Sequence, residues 1–210
     1  MIDKGLFITF EGVEGSGKST HVGLLASKLK ESGMSIKVTR EPGGTRIGEK
    51  IRDLTLSKDN VDLTAVAECY LMAASRAQHV REIIRPAISA GDIVICDRFI
   101  DSSLAYQGYG RLLGEEEVFL LNKSALDGVF PDITVFLNIP SKLGLERRKD
   151  TGKINRLDLQ QTDFYKRVED GYRNLAKKNL ERYFTVDSSL HIEDVSEKIW
   201  NYVRKKIEMR

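Results

Sequence analysis

A three-layer α/β fold, with a five-stranded, mostly parallel sheet flanked by helices and a basic lid segment, is predicted by three observations. Short apolar runs rich in β-branched residues alternate with stretches of helical period along the chain, the order in which right-handed crossovers build a parallel sheet. The first run, Leu6 to Phe10, stops at a glycine cluster before a helix, and the cluster has phosphate-binding loop spacing: Gly12, four residues, then Gly17-Lys18-Ser19. That makes the fold a P-loop fold. Ile93 to Cys96 is nearly all apolar, as a strand covered on both faces requires.

The elements follow in order. After the loop, Val22, Leu24, Leu25 and Leu29 form a helical stripe that closes near Gly33, where a glycine releases the chain. Ile36 to Thr39 is a short second strand. It runs into Arg40-Glu41-Pro42-Gly43-Gly44-Thr45, a turn-rich loop at a strand's carboxyl end, where open parallel sheets bind ligands. A helix carrying Arg52 comes next. A long helical pattern spans Leu63 to Ile88 with Arg76 inside it, and Pro86 predicts a kink or break near its end. The third strand, Ile93 to Cys96, ends in Asp97-Arg98. Ser102 to Tyr109 predicts a helix beside that edge, and Glu115-Glu116-Glu117 suit the first turn of another through its dipole. Asp132 to Leu137 and Tyr183 to Asp187 are the fourth and fifth strands, and a terminal helix holds Trp200.

Composition narrows the class. At 210 residues the chain can bury one sizeable core, and a single domain over 1–210 with a mobile lid at about 141–158 is expected. Thirty-three Lys and Arg against 31 Asp and Glu leave a formal charge of +2, too small an excess for a nucleic-acid or membrane-surface protein. No apolar run approaches the roughly 18 residues of a membrane span, and the stretch ending at Glu11 is too short for a signal-peptide core, so a cytoplasmic protein is expected. Cys69 and Cys96 sit in apolar contexts and read as reduced core thiols. His21, His79 and His191 share no metal-ligand spacing.

The loop carries the chemistry. Its backbone N–H groups can converge on a polyphosphate at a helix N-terminus, and glycines are needed because side chains would block the approach. Lys18 would reach the outer phosphates as a point charge, and the Ser19 hydroxyl would ligate Mg²⁺, the usual counter-ion of nucleoside triphosphates. A second feature is the segment 141–158. Lys142, Arg147, Arg148, Lys149, Lys153 and Arg156 outnumber Glu146, Asp150 and Asp158, with a turn expected at Asp150-Thr151-Gly152. By itself this is a solvated helix face; beside a phosphate loop it is a basic segment able to close over a migrating phosphoryl group.

Phe10 to Thr20, Thr39-Arg40-Glu41-Pro42-Gly43-Gly44-Thr45, and Asp97-Arg98-Phe99 through Ser102, Ala105, Tyr106 and Gln107 resemble thymidylate kinase of the bacterial type. The resemblance covers nearly the whole chain, with Phe130-Pro131-Asp132 and the late basic segment included. It implies transfer of phosphate from MgATP to thymidine 5′-monophosphate (dTMP), with Gly12, Val13, Glu14, Gly15, Ser16, Gly17, Lys18, Ser19 and Thr20 at ATP. It places Arg98 on the acceptor phosphate, Arg76 on the acceptor phosphate or base, Arg52 and Gln107 in the acceptor site, and Asp97 in the Mg²⁺ shell. Glu14 matches the loop carboxylate near the acceptor's 3′-hydroxyl or phosphate. Tyr106 matches the tyrosine that disfavours a 2′-hydroxyl, and Ser102 and Ser103 lie where the pyrimidine edge is read. Four residues before Arg76, where the family usually has a phenylalanine to stack on thymine, stands Met72, whose thioether can contact an aromatic ring.

Lys18, Arg98, Arg147, Lys149 and Arg156 are the catalytic candidates, the last three matching basic lid positions, while Arg148 is offset and expected to face water. In a second branch of the family an arginine takes the position of Gly15 and the lid lacks its arginines, so the resemblance assigns catalytic cation duty here to the lid. It also implies a homodimer.

Rival readings share part of this pattern. A GTPase switch needs Asp-x-x-Gly, and no aspartate here has glycine three residues on; it also needs Asn-Lys-x-Asp, and Asn122-Lys123-Ser124-Ala125 lacks the aspartate. A nucleic-acid-dependent ATPase conflicts with the near-neutral charge. A P-loop kinase for another nucleotide or small molecule is the nearest alternative.

Overall fold

The computed structural model describes residues 5–149 and 155–209; Lys153 and the turn expected at Asp150-Thr151-Gly152 lie outside them. Five strands, β1 (Leu6–Glu11), β2 (Ile36–Arg40), β3 (Ile93–Asp97), β4 (Ile133–Asn138) and β5 (Tyr183–Asp187), pair in parallel in the order β2-β3-β1-β4-β5. β1 is therefore central and buried throughout, as its unbroken apolar run requires.

Strand side chains alternate between two helical layers. Leu6, Ile8 and Phe10 join the core under α1 (Lys18–Glu31) and α9 (Ile192–Glu208), with Leu25, Leu29, Ile199 and Val203. Phe7 packs on the opposite side with residues of α3 (Ala65–His79), α6 (Glu115–Leu126) and α8 (Thr162–Lys178). Thr9 and Glu11 follow Phe7 by alternation, so the last residue of β1 aims a carboxylate into this second layer.

Thr64 caps α3 by accepting from the N–H of Ala67. The expected break at Pro86 takes the form of a π-helical turn, Val80–Ile84, after which α4 (Arg85–Ser89) begins with the proline in its first turn. A proline there has no N–H to place, and the widened turn before it absorbs the mismatch. α5 (Ile100–Ser103) likewise opens into a π-helical segment, Leu104–Gly110, where a regular helix was expected. α2 (Arg46–Leu56) carries Arg52, and α7 (Ser141–Lys149) begins the basic segment.

α8 was not among the elements expected from the sequence, although Phe164, Val168, Tyr172 and Leu175 give it a clear buried stripe. It brings Tyr172 against the end of β1.

Candidate active site

Three loops meet where β1, β3 and β2 end, because Phe10, Asp97 and Arg40 are neighbours in register. They surround a cleft of about 410 Å³.

In the phosphate loop, Gly12, Gly15 and Gly17 have positive φ, a conformation that a β-carbon strains. Glu14, Gly15 and Gly17 to Thr20 line the cleft, while Gly12, Val13 and Ser16 are buried outside the lining. Lys18 Nζ donates to the carbonyls of Gly12 (3.0 Å) and Val13 (2.8 Å) and to Ser16 Oγ (3.4 Å). Burial, reinforced by Arg98, lowers its pKa to about 8. Ser19 Oγ donates to Asp97 Oδ2 at 2.6 Å. A hydroxyl and a carboxylate side by side are hard oxygen donors of the kind Mg²⁺ takes, with phosphate and water oxygens completing the shell.

Arg98 occupies the second loop with φ of 72°, an uncommon and costly conformation for a side-chain-bearing residue. Its N–H donates to Phe10 O at 3.0 Å, which fixes it to the end of β1. Nη1 donates to Gly12 O, Ser102 Oγ and Tyr172 Oη, each at 3.1 Å. Nη2 donates to Glu14 Oε1 (2.9 Å) and Tyr106 Oη (3.3 Å), and the guanidinium lies 5.0 Å from the Tyr106 ring centroid. Burial works against the charge of Glu14, but Arg98, Lys18 and Arg148 outweigh it and hold its pKa down at about 2.

Beneath Arg98 lies Glu11, which the sequence reading passed over. Its carboxylate accepts from Phe99 N (2.7 Å), Ser102 Oγ (2.6 Å) and Tyr172 Oη (3.0 Å). Burial first, then Asp101, raises its pKa to about 7. An acidic residue ending an apolar strand was the only signal available.

The third side is polar at depth. Buried Arg76 donates through Nε to Glu41 Oε2 (2.9 Å), through Nη2 to Ser103 Oγ (3.0 Å) and through Nη1 to Asn122 Oδ1. His79 Nδ1 and Glu41 Oε1 are hydrogen-bonded at 2.9 Å. Arg52 Nη1 donates to Pro42 O at 2.9 Å, and Gln107 Nε2 donates to Glu68 Oε1 at 2.6 Å. Arg52, Met72, Arg76, Ser102, Ser103, Tyr106 and Gln107 thus all reach the lining.

The basic segment divides differently from expectation. Arg147 and Arg148 line the cleft; Arg147 Nη1 donates to Ser188 O at 3.1 Å, and Arg148 Nη2 lies 3.5 Å from Asp158 Oδ2. Lys149 is exposed, and Arg156 is buried, ion-paired with Glu68 and donating to Thr55 O at 2.9 Å. Helix geometry accounts for Arg148: it is one turn beyond Gly144, which abuts the phosphate loop, so both are on one face.

A central parallel strand feeding a glycine loop, with Lys18 behind the loop and Ser19 on Asp97, defines the P-loop class of phosphate-binding α/β proteins. The thymidylate kinase profile matches residues 10–199, and the chain belongs to the thymidylate kinase family. It is 48% identical over 193 residues to the thymidylate kinase of Geobacillus thermodenitrificans (strain NG80-2), covering 91% of this chain and 86% of the relative. To that of Clostridium novyi (strain NT) it is 45% identical over 205 residues, 97% and 100% of the two chains. The crystal structure of thymidylate kinase from Ehrlichia chaffeensis superposes with a TM-score of 0.78 at 35% identity, covering 95% of this chain and 98% of that one.

Proposed function

We propose that this chain transfers the γ-phosphoryl group of MgATP to dTMP, giving dTDP and ADP, a step in dTTP synthesis. The observation that carries the reading is Arg98, a partly buried cation held between Glu14 of the phosphate loop and Tyr106, where an acceptor phosphate can meet a bound triphosphate. An oxygen of that phosphate forms a bond to the γ-phosphorus as the bond to the bridging oxygen of the β-phosphate breaks, and ADP leaves.

Gly12 to Thr20 cradle the ATP phosphates, and Lys18 exchanges its loop carbonyls for phosphate oxygens. Ser19 and Asp97 hold Mg²⁺, which when bound neutralises charge on the phosphates. Arg98 holds the acceptor phosphate and Glu14 the region of its 3′-hydroxyl. Tyr106 closes the space beside the sugar, while Arg52, Met72, Arg76, Ser102, Ser103 and Gln107 surround the acceptor and its base. Arg147 and Arg148, which line the cleft, are on this reading the lid cations that meet the migrating group. Lys149 is exposed and Arg156 is buried against Glu68, neither in the cleft lining, so a role for either requires the lid segment to move.

We take the enzyme to act in the cytoplasm as a homodimer. Among the described residues no helix is long and apolar enough to cross a membrane. Val66 and Tyr70, one turn apart, expose an apolar face of α3 that a second copy could cover.

The test is ADP release from purified protein with MgATP and each nucleoside monophosphate in turn. Thymidine monophosphate should outperform the others, its ribose counterpart included. Tyr106→Phe should keep that preference and Tyr106→Ala relax it. Equal use of ribo and deoxy acceptors would redirect the reading to a kinase for another nucleotide.

A further inference from the structure

Gly15 and Gly144 bring the phosphate loop and α7 into backbone contact. A β-carbon on Gly15 would lie 1.9 Å from the Gly144 carbonyl oxygen, and one on Gly144 would lie 2.2 Å from the carbonyl oxygen of Glu14. Both distances are far inside van der Waals contact, and both obstacles are main chain, which has no rotamer to swing aside. The helix is held at two further points. Ser141 N donates to Glu169 Oε2 of α8 at 2.7 Å, and Arg147 Nη1 donates to Ser188 O at 3.1 Å. Ser188 Oγ donates in turn to Ser16 O, so this anchor also returns to the phosphate loop. Residues i, i+3 and i+4 share one helix face, so Gly144 stands with Arg147 and Arg148, the two lid cations that line the cleft.

We propose that Gly144 is a positioning residue for phosphoryl transfer: with no side chain there, α7 seats on Glu14-Gly15, and that seat sets the reach of Arg147 and Arg148. This rests on the role given above to those two arginines. A methyl group at 144 would push α7 back by roughly 1 Å, a misplacement that can cost oriented groups about 100-fold in rate. Helix propensity acts in the opposite direction, since alanine is the better residue inside a helix. A glycine that merely completes the helix would therefore yield an alanine variant at least as stable and as active as the parent.

The experiment is Gly144→Ala, assayed for kcat, for KM of each substrate, for dTMP affinity by titration and for Tm. We expect kcat to fall about 10- to 100-fold, with dTMP affinity within about 2-fold of wild type and the cooperative thermal transition retained. A kcat within about 2-fold of wild type overturns the proposal, and so does loss of dTMP binding or of the folded state. A second arm places Gly144→Ala in the Arg147→Ala/Arg148→Ala background. Because Gly144 acts through those arginines, the added change should cost less than about 2-fold there, and a full multiplicative loss overturns the proposal. If the double arginine variant keeps wild-type kcat, the lid reading and this inference fail together, while phosphoryl transfer to dTMP, read from the wild-type assay, stands.

Discussion

A carboxylate sealed from water must find donors or keep its proton, and Glu11 does both. Its folded pKa of about 7 lies above its value of 4.5 in an open chain. The stability linked to that proton is therefore full below about pH 4.5 and is lost as pH rises through about 7, on the order of 3 kcal/mol. Glu11→Gln mimics the protonated form and should remove the slope. Between pH 4.5 and 7.5 the Tm of the wild type should fall relative to the variant by roughly 5–10 °C, and parallel curves would refute the account. Lys18 makes the opposite case. Its Nζ is satisfied by two loop carbonyls that it can leave for phosphate, so Lys18→Ala should reduce kcat by about 10³ or more and barely change Tm. Near wild-type kcat with an unchanged Tm would remove the loop's central role. Lys18, Ser19, Asp97 and Arg98 were legible because fixed short motifs carry them. Glu11, Glu41 and Glu68 were not, because their partners, such as Phe99, Arg76 and Arg156, come from distant parts of the chain.

At the scale of elements, the sequence yields all five strands within a residue or two, since each is a short apolar run between turn signals. The π-helical turns were hidden, because an extra residue per turn leaves little trace in apolar spacing. One of them places Tyr106 and Gln107 in the cleft. The helix α7 shows what is lost when a basic run is read by composition alone: its cations divide by face. At saturating MgATP and dTMP, alanine at Arg147 or Arg148 should depress kcat, by up to about 10³ for the one that meets the migrating phosphate, with little change in KM. Alanine at Lys149, exposed to solvent, should leave kcat and Tm near wild type. Alanine at Arg156 removes a partner from buried Glu68 and should cost about 3 kcal/mol of stability, read by denaturant unfolding, whatever it does to rate. If Lys149→Ala is the inactive one while alanine at Arg147 and Arg148 leaves kcat unchanged, the two faces of α7 have been exchanged; an Arg156→Ala variant as stable as wild type refutes the buried pair with Glu68.

Over the whole molecule, the site exists only where three strand ends are brought level by the parallel sheet, so an unfolded chain has nothing to offer either substrate. Binding must then stabilise the fold by mass action, and a ligand at 100 times its Kd adds about 2.7 kcal/mol. For a chain of this size that corresponds to a rise in Tm of roughly 5–10 °C. MgATP and dTMP should each produce such a shift alone, because the phosphate loop lines one part of the cleft and Arg52, Met72, Arg76 and Tyr106 line another. Arg98 separates the two. It touches Glu14 and Tyr106 and donates to the loop carbonyl of Gly12, yet its charge is the one assigned to the acceptor phosphate. Arg98→Ala should cost the acceptor roughly 2–5 kcal/mol of binding, enough to abolish the dTMP shift at the same concentration. The MgATP shift should survive, since Lys18 and the loop N–H groups remain. Thermal scans of wild type and variant, each with no ligand, MgATP or dTMP, decide the matter. Loss of both shifts together would put Arg98 on the nucleotide triphosphate, and retention of both would take it off the substrates altogether.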